Sequence, residues 1–232
     1  MFEKFKFRKA NGQMAIGEEK KGLEILEKLV VKKKATIKMK VFYAFYLMKN
    51  GDFKKARDVF DLLIFPFEEQ IKKAPLDVKV QVKQNHALLL WKEGNLKEAI
   101  KVTEEILKNY KNTVIYGNLG YFYILDGQTE KALEFNLEAY DFASDDAVIL
   151  DNLAFSYYLS GELKKAEEIY QKLHEQKNKP AFPEAYYNYG LVVLKQGDKE
   201  KAKELFEKAL SQKFSYLSDL DKNTVEETLQ NT

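Results

Sequence analysis

Few residues in this chain could carry out chemistry. With no cysteine, there is no thiol nucleophile, thiolate metal site or disulfide. The two histidines are far apart in sequence, His86 at a packing place and His174 near the end of a second helix, so neither a zinc set nor a histidine relay is expected. The sequence has no phosphate-cradling glycine loop, no GxSxG elbow and no HExxH. Acidic pairs such as Glu104-Glu105 and Glu167-Glu168 belong to stretches where solvated charge is expected. An enzyme, a metal centre or a cofactor site is therefore not the expectation. What does recur is an amide, at Asn85, Asn118, Asn152 and Asn188. An asparagine side chain carries a donor and an acceptor, as a peptide group does. A ladder of them could hold the backbone of an extended segment without reading its side chains, at roughly 0.5–1.5 kcal/mol net per bond. The same amides could instead tie one helix to the next, and the residues alone leave both uses open.

Such a ladder needs elements that repeat. Glycines stand at 17, 51, 94, 127, 161 and 197, with successive spacings of 34, 43, 33, 34 and 36. Five residues after each comes a small residue: Gly22, Ala56, Ala99, Ala132, Ala166 and Ala202. The glycine marks a turn that needs positive φ, and the small residue marks two helices in close approach. The unit is thus a helix–turn–helix of about 34 residues, repeated along the chain.

This pattern resembles the tetratricopeptide repeat family over nearly the whole chain. Its best matches are Tyr116-Gly-Asn-Leu-Gly-Tyr-Phe-Tyr123 with Gly127, Ala132 and Ala139, and Tyr186-Tyr-Asn-Tyr-Gly190 with Gly197, Ala202, Phe206 and Ala209. The resemblance implies an all-α, right-handed superhelical solenoid of about six repeats, at 3–36, 37–70, 80–113, 113–146, 147–180 and 183–216. A C-terminal capping helix would occupy 217–232. The first repeat is degenerate, with Asn11-Gly12 inside its leading helix. An insertion of about nine residues, through Ile64-Phe-Pro-Phe67 and Lys72-Lys-Ala-Pro75, separates the second repeat from the third.

At 100° per residue, places 4, 7, 8 and 11 of each leading helix form the face that packs on its own hairpin partner. The opposite arc should be charged if it were only solvated. Instead it holds Gln84, Asn85 and Trp91, then Asn118 and Tyr121, then Asp151, Asn152, Phe155 and Tyr158, then Tyr187 and Asn188. In the family, leading helices line the concave side, so this stripe would face a groove. The expected site is therefore the four asparagines, the polar Gln84 and Asp151, and the rings of Trp91, Tyr121, Phe155, Tyr158 and Tyr187, which would supply contact area and selectivity. Some family members grip extended peptides through such a ladder. Relatives that clamp chaperone C-terminal tails need Lys and Arg at places 2 and 6 of one unit, whereas place 2 here holds Lys38, Gln81, Val114, Val148 and Glu184, and the basic half of the clamp is missing. That speaks against a chaperone tail, and Asp151 and Glu184 point to a basic or neutral ligand.

Composition agrees with a globular protein: of 232 residues, 45% are hydrophobic and 32% charged, with only four prolines. No apolar run is long enough to span a membrane, and the N-terminus lacks the apolar core of a secretory signal, so a cytoplasmic location is expected. Net charge is +2, but residues 1–83 carry +9 and residues 84–232 carry −7. Such polarity could steer an oriented association, or bring the basic end to a nucleic acid or anionic membrane. The leading expectation is a non-enzymatic module binding a protein or peptide in its groove. The alternatives are a structural assembly subunit using its convex face, ends or self-association, and, behind these, nucleic-acid binding.

Overall fold

The computed structural model describes residues 2–32, 34–175 and 182–232, and among them the chain is helical with no strand. The chain divides into two compact units, Met1–Val102 and Thr103–Thr232. The division falls within α7 (Leu96–Leu107).

The N-terminal unit holds α1 (Phe2–Ala15), α2 (Glu19–Val31), α3 (Ile37–Lys49), α4 (Phe53–Val59), α5 (Glu68–Lys73), α6 (Leu76–Lys92) and the start of α7. The C-terminal unit holds the end of α7, then α8 (Thr113–Leu125), α9 (Thr129–Phe142), α10 (Ala147–Leu159), α11 (Leu163–Glu175), α12 (Pro183–Lys195), α13 (Lys199–Leu210) and α14 (Lys222–Gln230). Within the units, α1 pairs with α2, α3 with α4, α8 with α9, α10 with α11 and α12 with α13. The leading helices also stack on one another: α3 on α6, α8 on α10, and α10 on α12.

Each hairpin turn is built the same way. At Gly127 (φ +72°), the glycine N–H donates to Ile124 O and the Gln128 N–H to Tyr123 O, the paired bonds that end a helix through a left-handed residue. The same two bonds recur at Gly17, Gly51, Gly94, Gly161 and Gly197. Helix starts are fixed by side-chain caps: Asn112 accepts from Ile115 N at 2.8 Å, and Asp146 from Val148 N and Ile149 N at 3.0 and 3.2 Å. The core of the C-terminal unit runs from Leu150 and Ala154 through Tyr170 and Leu173 to Tyr189, Val192 and Phe206.

The insertion between the second and third repeats is helical as far as Lys73 and breaks at Ala74-Pro75. After Val59 the helix widens into a π turn over Phe60–Ile64, tightens to a 3-10 turn over Phe65–Phe67, and continues as α5. The buried Lys40 donates to Leu63 O at 2.8 Å and lies 4.4 Å from the centre of the Phe67 ring, so it satisfies a carbonyl of the widened turn. Burial lowers its pKa. His86 is packed between Phe60 and Phe65, and burial pulls its pKa down. His174 stacks against Tyr186 and Tyr189.

Candidate ligand-binding face

The four asparagines follow one geometric rule wherever their bonds are described. Asn85 Nδ2 donates to Val41 O at 3.1 Å, and Asn152 Nδ2 donates to Gly117 O at 2.8 Å. In each case place 6 of one leading helix reaches the place-5 carbonyl of the leading helix before it. Both asparagines are buried, at 7% and 3% exposure. Asn188 reaches back to place 5 as well, but the group it finds there is the carboxylate of Asp151, at 3.2 and 3.4 Å. Of the two uses left open for these amides, the helix tie is the one made by the Nδ2 groups of Asn85, Asn152 and Asn188. Their Nδ2 groups are engaged inside the protein, as ties between stacked leading helices. Asn118 is half-buried and lines a cavity.

In the N-terminal unit Gln84, Asn85 and Trp91 of this stripe are buried, as are Val41 and Met48 of α3, while Phe42, Phe45 and Leu88 are half-buried. Lys92 Nζ lies 4.4 Å from the Trp91 ring. These leading helices carry large apolar side chains at the places that would face a groove, and burying them is favourable by roughly 25 cal/mol per Å².

The C-terminal unit is different. Tyr121, Phe155, Tyr158, Tyr187 and Asn188 are half-buried, and Phe155 and Tyr158 stack with ring centres 5.5 Å apart. Two cavities lie on this face. One, of about 160 Å³, is bounded by Tyr121, Phe155, Tyr187 and Leu220, with Asp151, Glu184 and Asp219 among its polar groups. The other, of about 300 Å³, is bounded by Gly117, Asn118, Val148, Phe182 and Leu217, and shares Tyr121, Asp151, Asn152 and Glu184 with the first.

A wall of both cavities comes from the segment between α13 and α14, which the sequence did not place here. Residues 217–221 precede α14 rather than belonging to it, since helix begins at Lys222 with Asp221 as its cap. The segment folds on its own serines: Leu217 N donates to Ser215 Oγ at 3.1 Å and Leu220 N to Ser218 Oγ at 3.0 Å. The Asp219 backbone hydrogen-bonds the Tyr121 hydroxyl, whose pKa is pushed up chiefly by burial and then by the Asp219 charge. Tyr187 reaches α14 through a 3.2 Å bond between its hydroxyl and Thr228 Oγ1. The capping helix expected over 217–232 begins only at Lys222, and no local signal in the sequence marked this strap.

Asp151 sits at the centre. It is 6% exposed, and its Oδ1 accepts from the Tyr170 hydroxyl at 2.9 Å as well as from Asn188. Burial raises its pKa to about 7, opposed by those two hydrogen bonds and reinforced by the Glu184 charge. Beneath the preceding joint, Asn136 donates to Ser156 Oγ at 2.9 Å and Ser156 to Asn152 O at 2.8 Å, a buried relay that was not foreseen from sequence. A Cβ on Gly120 would strike Asn136 Oδ1, so only glycine fits there.

Stacked helical hairpins with these turns and small-residue contacts have the tetratricopeptide-repeat fold. Residues 145–213 match the family model described as "Tetratricopeptide repeat". Among solved structures, a tetratricopeptide repeat protein from Parabacteroides merdae superposes with a TM-score of 0.74 at 17% identity, covering 98% of this chain and 83% of that one. The thermophilic protein TTC0263 of Thermus thermophilus superposes at 0.64 with 18% identity, covering 84% and 98%. YrrB, described as having an unusual peptide-binding site, superposes at 0.50 with 18% identity, covering 88% and 97%. No curated protein matches the sequence. No helix among the described residues is long and apolar enough to cross a membrane.

Proposed function

We propose that the chain is a non-enzymatic interaction module whose C-terminal unit binds an extended segment of a partner protein along the leading-helix face of α8, α10 and α12. The observation that carries this reading is the row of half-buried rings, Tyr121, Phe155, Tyr158 and Tyr187, beside two cavities, on a surface where solvated Lys and Glu would otherwise be expected. Asn118 is the ladder member best placed to meet a peptide group. Asn85, Asn152 and Asn188 act first as ties, and any contact they make with a ligand goes through their oxygens. The peptide-binding site named for YrrB supports the same use of the fold.

The test is selection of twelve-residue peptides on the intact protein, followed by hydrogen exchange of the complex. Slowed exchange in α8, α10 and α12, with binding at least ten-fold weaker in Phe155→Ala, is the expected result. Protection confined to α9, α11 and α13 would refute it. One observation favours a second reading, a scaffold that works through its outer faces or by self-association: residues 215–220 already lie on the inner face. Concentration-dependent dimerisation on a sizing column, without selectable peptides, would favour that alternative.

A further inference from the structure

We propose that the paired cavities between the α8–α10–α12 face and the strap are the seat of a basic side chain, lysine or arginine, carried by the bound segment and received by Asp151. This rests on the proposed use of that face and adds the chemistry of what it selects.

Three features converge. First, the floor of both cavities is a carboxylate held in a fixed orientation by two neutral donors, Tyr170 and Asn188, on its Oδ1. A buried carboxylate supported only by neutral donors is costly to ionise, and a cation delivered from outside offsets that cost. Second, the walls are aromatic. Tyr121, Phe155 and Tyr187 bound the narrower cavity, and the faces of such rings attract an ammonium or guanidinium. Third, a basic side chain already lies at this place: the strap brings Lys213 to the rim of the wider cavity. The remaining charged groups lining the two spaces, Glu184 of α12 and Asp219 of the strap, are both acidic. The site therefore rejects acidic residues, and neutral isosteres gain no ionic contact.

The seat is pH-dependent. Asp151 must be ionised to pair with a cation, and its pKa stands near 7, facing Tyr170 of α11, Asn188 and Glu184 of α12, Tyr121 of α8, and Asp219 and Lys213 of the strap. Affinity for the cation is thus greatest above pH 7 and falls as the carboxyl takes up a proton.

The experiment titrates the intact protein at pH 8 with acetyl-Ala-Ala-Lys-Ala-Ala-amide, its arginine counterpart and its norleucine counterpart, and separately with n-butylammonium and, as its neutral control, n-butanol, reading tyrosine ring shifts by NMR. The expected result is at least ten-fold tighter binding of the lysine or arginine peptide than of the norleucine peptide. That preference should be lost in Asp151→Asn, which keeps an oxygen for Tyr170 and Asn188, and in wild type at pH 5.5, and should shrink a few-fold in Glu184→Gln. Equal binding of all three peptides, or a preference that survives Asp151→Asn, overturns the basic seat while leaving the binding face intact. Butylammonium moving the Tyr121 and Tyr187 signals with no peptide binding would overturn the extended-segment reading and leave the seat standing. Silence from every probe overturns both.

Discussion

Two joints of the C-terminal unit use the same asparagine place for different ends. Between α8 and α10, Asn152 ties into the Gly117 carbonyl, and the relay through Ser156 and Asn136 fills the space behind it. Every polar group there is neutral. Between α10 and α12, Asn188 reaches back in the same register but meets the Asp151 carboxylate, with Tyr170 added from the second helix of the hairpin. The first joint is what stacking requires. The second adds an ionisable group that stacking alone does not need, since a carbonyl at place 5 already suffices for Asn152. The difference separates a structural use of the ladder from a use that suits a ligand.

The largest expected effect breaks the second joint's dependence on pH. The folded-state pKa of Asp151 is raised from 3.8 to about 7. A carboxyl so raised contributes stability that is fully present below its unfolded pKa and is lost as pH rises through the folded value. Linkage puts the loss between pH 5 and pH 8 at about 2–3 kcal/mol. Asp151→Asn should remove it. Urea unfolding of both proteins should show the variant gaining on wild type as pH rises from 5 to 8. Parallel stability curves over that range would mean the carboxylate is not held as the geometry implies.

Next in size is the neutral joint. Asn152→Ala removes a buried donor and leaves a small void beside Gly117, at a cost of about 2 kcal/mol. No titrating group takes part, so the loss should be the same at pH 5 and pH 8. A cost below about 0.5 kcal/mol would show that stacking does not depend on the tie.

The contrast also marks how far the sequence could be read. The six glycine turns and the small residue five places on are local signals, because a left-handed turn and a close helix contact each admit few residue types. They were legible at Gly17, even though Asn11-Gly12 stands inside its leading helix, which runs through both residues. The asparagine spacing was legible too, but not its partner. Whether place 6 meets a carbonyl, a carboxylate or a ligand depends on the rise and rotation from one hairpin to the next, which no single repeat encodes. The burial of Gln84 and Trp91 was not legible for the same reason: a periodic face tells which side a residue is on, and only stacking decides whether that side is covered. The strap at 215–220 left the weakest trace. It has no periodicity, and its serines satisfy their own backbone.

The smallest effect sharpens the comparison most. Asn188→Ala removes one of two donors to Asp151 and should cost about 1 kcal/mol at pH 8, where the acceptor is charged. At pH 5 the carboxyl is protonated, the lost bond is neutral to neutral, and the cost should fall to a few tenths. The same substitution pushes the Asp151 pKa higher, since a donor to the charged form is gone. Chemical unfolding at the two pH values therefore gives a sign as well as a size: Asn188→Ala should be more harmful at high pH, whereas Asn152→Ala should be indifferent to it. Equal pH response in the two variants would erase the distinction between the joints.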